Sequence, residues 1–221
     1  MTGNGGILSH QKTAGWRIIQ RNLAKKVIRE DSFNMPPRLV AGVDVAYTKD
    51  KAYAAAVVLD YETLELVEER ASKSTVKIPY IPSFLAFREL KPLIRVIKKL
   101  REKPEIFLVN AHGIAHPEKC GCASHLGVTL DIPTIGVAKQ ALYGDIVDSE
   151  NQDIKYLKDG EVIGAALVTE ISRKPIYISI GHRISLESAI GIVRKTTRIQ
   201  MPEPLRLAHE LSNETKRKSS I

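Results

Sequence analysis

The chain has 221 residues, 43% of them apolar and 26% charged, which excludes a disordered or fibrous polymer and bounds the fold to one or two globular domains. Its 33 Lys and Arg against 25 Asp and Glu leave a formal charge of +8, which favours an anionic partner, nucleic acid first. No apolar run approaches the ~18 residues of a membrane span, and the first eight residues lack the layout of a secretory signal. Cys120 and Cys122 sit too close in sequence for a structural bridge, so a reduced, cytoplasmic protein without membrane attachment is expected.

In chain order, the glycine-rich start predicts a flexible end over about 1–8. Residues 11–29 carry an apolar period (Trp16, Ile19, Leu23, Val27) that predicts an amphipathic helix, broken by the prolines before Arg38. Residues 39–47 (LVAGVDVAY) predict a buried strand, 48–51 a polar turn, 52–59 its antiparallel partner and 64–76 a third strand of a meander. The stripe from Phe84 through Leu93 to Leu100 predicts a long helix, followed by a short strand at 106–109, a glycine-rich loop and a helix near 120–130. A strand at 133–138 comes next, and 144–160 reads as a polar loop. Strands at 162–169 and 176–180 and helices near 185–197 and 204–216 complete the chain, with a loose tail from about 213. This order predicts a single α/β domain over 1–221, a mixed sheet flanked by helices.

Within that frame a few polar residues stand out. Asp44 lies between Val43 and Val45 in an apolar strand, where an unpaired charge is costly. Its partner is either a basic side chain or a hard cation that prefers oxygen donors. Glu89 shares the helix side of Leu85 and Leu93, offset by four residues each way, and pairs with Asp44 if helix and strand touch. Asn110 ends a strand, where sites in α/β sheets collect, and serves either as a turn former or through its amide oxygen as a ligand. His112, His116, Cys120, Cys122 and His125 crowd together, but their spacing is not that of a structural zinc site.

Seven blocks resemble the endonuclease V family: Gly42–Tyr47 (GVDVAY), Pro79-Tyr80-Ile81-Pro82 with Phe87-Arg88-Glu89, His112–Pro117 (HGIAHP), Ala123–Gly127 (ASHLG), Pro133–Lys139 (PTIGVAK), Gly181–Glu187 (GHRISLE) and Pro202–His209 (PEPLRLAH). They occur in the family's order over most of the chain. The resemblance implies a ribonuclease H-like fold and a DNA repair endonuclease that recognises deoxyinosine. It also implies Mg²⁺- or Mn²⁺-dependent cleavage of the phosphodiester one nucleotide further on the 3′ side. Asp44, Glu89 and the residue at 110 match its metal-binding positions; His209 matches an active-site histidine, and Lys139 a lysine close to the scissile phosphate. Tyr80, Ile81 and Pro82 match a wedge that helps free the target base from its stack, stiffened by its prolines. Gly113, His116, Gly121, Ser124 and Gly136 are placed around the extruded base, the glycines letting backbone approach its edge.

Three positions depart from the family pattern. Asn110 stands where the family has Asp, leaving two carboxylates in the inner set. Ser83 replaces the glycine after the wedge, and Glu118 replaces an arginine after His-Pro. A lesion-binding protein with weak or no cleavage, and an endoribonuclease acting on inosine-containing RNA, therefore stand beside the DNA repair enzyme. The protein is taken as a monomer in each case.

Overall fold

The computed structural model describes residues 4–150, 153–168 and 174–219. Its first helix, α1 (Asn4–Ala24), begins earlier and ends sooner than the apolar period predicts. The meander then appears as β1 (Leu39–Tyr47), β2 (Lys51–Asp60) and β3 (Leu66–Thr75), antiparallel through Val43 opposite Ala56 and Ala56 opposite Arg70. Helix α2 (Leu85–Ile97) leads to β4 (Ile106–Val109), which pairs with β1 in parallel, Val43 beside Val109. Helix α3 (Cys122–Leu130) crosses over to β5 (Thr134–Ala138), also parallel.

The second half adds β6 (Asp145–Asp148), β7 (Ile154–Asp159), β8 (Glu161–Leu167) and β9 (Ile176–His182), then α4 (Leu186–Thr196) and α5 (Glu203–Lys218). Among the described residues these strands form one nine-stranded mixed sheet, in the order β3-β2-β1-β4-β5-β9-β8-β7-β6.

Helices cover both faces of the sheet centre, which is why β1 and β2 are apolar on both sides. Because strand side chains alternate, Leu39, Ala41, Val43 and Val45 join one core with residues of α2 and α3, while Val40 joins the other with Leu205 and Ala208 of α5. Gly42 shares the α5 side. A Cβ there would lie 2.1 Å from the Pro204 carbonyl oxygen, so only glycine lets α5 sit directly on β1.

Two expectations need correction. Residues 144–160 are not a loop but contain β6, β7 and the turn into β8. The two buried apolar residues of β7, Ile154 and Leu157, stand three apart among charged residues and leave no period-two pattern, while Gly160, at φ +71°, closes the hairpin after Asp159. An Asp-Gly pair between such segments is a hairpin signal that the polarity obscured. The tail from 213 is helical through Lys218, where Asn213 and Thr215 donate to the carbonyls of His209 and Leu211.

Helix α1 meets α2 and α3 through aromatic rings. Trp16 stacks on Phe87 at 4.6 Å, and Phe87 meets the His125 ring edge-on at 5.3 Å. His125 is 6% exposed, and its Nδ1 has no hydrogen-bond partner among the described residues. Burial lowers its pKa to about 4 from 6.5, so the unfolded chain takes up this proton first. Stability is therefore lost as pH falls from 6.5 towards about 4, by up to about 3 kcal/mol from this group. Urea denaturation of wild type and His125→Leu across that window should show a shallower pH dependence in the variant.

Candidate active site

The parallel pairing of β1 with β4 sets the site. Val43 lies beside Val109, so the next residues, Asp44 and Asn110, emerge together on the α5 side, where Asn110 Nδ2 donates to Asp44 Oδ1 at 3.0 Å. The other carboxylate oxygen meets His209 Nδ1 at 2.7 Å and accepts from Ser212 Oγ at 3.4 Å, both on α5. Asp44 is 9% exposed, so a carboxylate in the sheet is held by three donors rather than by a lysine or arginine.

Asn213, one turn beyond His209, fixes the tautomer of the ring. Its amide nitrogen reaches the His209 carbonyl at 2.9 Å and Nε2 at 3.2 Å. An amide N–H directed at Nε2 makes that atom the acceptor. The ring proton is then on Nδ1, donated to Asp44, and the Nε2 lone pair is taken up by the Asn213 amide.

Glu89 approaches the same end of β1 from α2, where Tyr47 Oη donates to its Oε1 at 3.1 Å. The Arg88 guanidinium covers the Tyr47 ring at 4.1 Å. Burial first, and then the charge of Asp44, push the Glu89 pKa up to about 8. The hydroxyl of Tyr47 is raised too, by burial and by the neighbouring carboxylate. Asp44, Asn110 and His209 thus meet at one end of the sheet, and Glu89 lies within reach of the Asp44 charge. Among the described residues no three His, Cys, Asp or Glu side chains gather as a metal cluster, and the Asn110 amide turns its nitrogen to Asp44.

A pocket of about 210 Å³ opens between the Tyr80 segment and the loop after β4. Tyr80, 65% exposed, forms part of its wall with His112, Gly121 and Leu142. Lys139 is exposed just past β5, next to the pocket-lining Gln140. Burial lowers the His112 pKa to about 4, so this ring is neutral at pH 7.

Several expected substrate contacts have other duties. Ser124 is fully buried and donates to the Ile180 carbonyl at 3.3 Å. His116 is 2% exposed; its Nδ1 accepts from the Glu118 N–H at 3.1 Å, so Nε2 carries the proton donated to the Ser83 carbonyl at 2.8 Å. At Gly113 and Gly136 a Cβ would strike backbone, at 2.0 Å from the Ile180 oxygen and 2.4 Å from the Gly113 nitrogen. Those glycines let the loop pack closely on β5 and β9. Sequence reasoning gave no role to Tyr47 or Asn213, which lie three and four residues beyond Asp44 and His209, and weighed His112 only with the cysteines and histidines near it.

A family model described as Endonuclease V matches residues 21–210, a stretch that includes Asp44, Glu89, Asn110 and His209. The endonuclease V of Thermofilum pendens is 45% identical over 195 residues, 87% of this chain and 84% of that protein. The crystal structure of the Streptomyces avermitilis endonuclease V superposes with a TM-score of 0.85 at 36% identity, covering 93% of each chain. That of Ciona intestinalis, in complex with a 24mer DNA containing an inosine followed by a ribo-adenosine, gives 0.84 at 32% identity over 94% of this chain and 99% of that one. The ribonuclease H-like mixed α/β fold is common to them, and the chain belongs to the endonuclease V family of nucleases, hydrolases of phosphodiester bonds.

Proposed function

We propose that the chain is a DNA repair endonuclease that binds deoxyinosine and cuts the phosphodiester one nucleotide further on the 3′ side, assisted by Mg²⁺ or Mn²⁺. The observation that carries this reading is the contact of Asp44 with Asn110 and His209 at one end of the sheet, with Glu89 near enough for the Asp44 charge to raise its pKa. The donor set is oxygen-rich, as hard divalent ions require. Burial, and after it the Asp44 charge, raise the Glu89 pKa, and a divalent charge beside the two carboxyls would relieve both.

Asp44, Glu89 and the Asn110 amide oxygen would hold the ion. When bound, it supplies activation of water and neutralisation of charge at the phosphate. The chain's own groups do the rest in this reading. His209 keeps its Nδ1–H on Asp44, and its Nε2 becomes a proton acceptor once the Asn213 amide turns away from it. Lys139 places a cation by the scissile phosphate, Tyr80 and Ile81 enter the stack, and the pocket beside Tyr80 receives the base. Neutral His112 and the Gly121 backbone offer hydrogen-bonding groups for the edge of hypoxanthine.

One observation favours a second reading, a lesion-binding protein that cuts slowly. Asn110 turns its amide nitrogen towards Asp44, which partly satisfies the carboxylate that a cation needs. Duplexes carrying one deoxyinosine, incubated with Mg²⁺, Mn²⁺ or EDTA, distinguish the two. A nick beside the lesion that EDTA abolishes is expected, and tight binding without any nick at stoichiometric enzyme would leave only the second. Matched inosine RNA reports whether 2′-hydroxyl contacts shift the preference.

Asn110→Asp should act in opposite directions with and without metal. A third carboxylate against Asp44 lowers the melting temperature in EDTA, since like charges about 4 Å apart cost about 4 kcal/mol at an effective dielectric near 20 before screening. The same change should increase the Mg²⁺-induced rise in melting temperature and raise the nicking rate at least about tenfold, a 1.4 kcal/mol gain. An unchanged Mg²⁺ response would remove residue 110 from the ion's donors.

A further inference from the structure

We propose that α1 is a brace for the Pro79–Pro82 wedge, with Gln20 as the positioning residue that fixes the wedge relative to the opposite wall of the base pocket; this rests on the reading of that segment as a wedge. Four observations converge on it. The wedge is held by the carbonyls that flank it. That of Ile78 accepts from the Arg88 guanidinium, and that of Ser83 accepts from Gln20 Nε2 at 2.9 Å and from His116 Nε2 at 2.8 Å.

Ser83 lies at φ +67°, a left-handed conformation that favours glycine, so the direction of its carbonyl depends on the donors that hold it. Gln20 is fully buried, and the same Nε2 also donates to the Cys120 carbonyl at 3.1 Å. One amide therefore ties the wedge base to the loop that carries Gly121, and both Ser83 and Gly121 line the pocket. Gln20 Oε1 is buried with no hydrogen-bond partner among the described residues, so packing alone would be better served by an apolar side chain.

The remainder of α1 fastens this contact. Trp16, one turn earlier, lies 5.6 Å from Phe84 and stacks on Phe87, immediately after the wedge. Arg17 and Arg21 reach the Glu118 carboxylate at 3.8 and 2.6 Å. Glu118, where the family pattern has arginine, is thus a docking point for α1. Gln20, Trp16 and Arg17 all precede residue 21, where the family match begins.

The test uses Gln20→Met, which keeps the length and packing of the side chain and removes both donors and the orphaned oxygen. Wild type and variant are compared on duplex and single-stranded inosine substrates. 2-Aminopurine next to the inosine reports unstacking on metal-free binding. The variant should melt within a few degrees of wild type, lose at least about tenfold in kcat/KM on duplex through KM, and give a smaller 2-aminopurine signal. Its single-strand rate should stay within twofold, because no duplex has to be opened there.

Equal losses on both substrates, or an unchanged duplex KM and fluorescence, would overturn the brace. Should Gln20→Met fail to fold, Glu118→Gln, which weakens the α1 contact from the surface, must show the same duplex-selective loss in smaller measure, and no loss would overturn the proposal. A wild type that unstacks the base without nicking would fail the cleavage reading and leave the brace to the fluorescence comparison.

Discussion

The side-by-side parallel pairing of β1 and β4 is the constraint on which the chemistry depends. It carries Asp44 and Asn110 out of two apolar strands at the same height and on the same face. A carboxylate in that position is tolerable only because its oxygens accept from an amide, an imidazole and a hydroxyl. Every donor comes from an element that the sheet itself positions, so the charge and the fold support one another.

Helix α5 is held close enough to take part by the absence of a side chain at Gly42, over which the Pro204 carbonyl lies. Its prolines fall in the first turn, where a missing N–H breaks no helix bond. From that seat His209 and Ser212 meet Asp44, and Asn213 orients His209. The opposite face contributes Glu89, held by Tyr47 under the Arg88 guanidinium. The two carboxylates thus approach the end of β1 from different layers. Their repulsion is visible in the raised pKa of Glu89.

The base pocket is assembled by a different logic. Its walls are loops, and loops hold their shape through bonds to buried partners. His116 and Gln20 meet at the Ser83 carbonyl, and Arg88 holds the carbonyl of Ile78. Residues that looked like base readers, Gly113, Ser124 and Gly136, lie one layer deeper and shape the loop from below.

The amino-acid sequence by itself determined the apolar strands, the long helix carrying Glu89 and the family blocks, because period and burial leave a direct trace in residue order. A charge between Val43 and Val45 signalled that something must satisfy it, and the short motifs named the candidates. It missed β6 and β7, whose exposed edge position replaces an apolar face with charges, and it misassigned residues whose partners lie far along the chain. Only tertiary structure decided that His209 anchors through Nδ1, that His116 spends both nitrogens internally and that α1 reaches the wedge. Apart from the local Glu118 N–H on His116 Nδ1, those outcomes depend on groups 33 to 165 residues apart meeting at hydrogen-bond distance, and no local pattern encodes such a meeting.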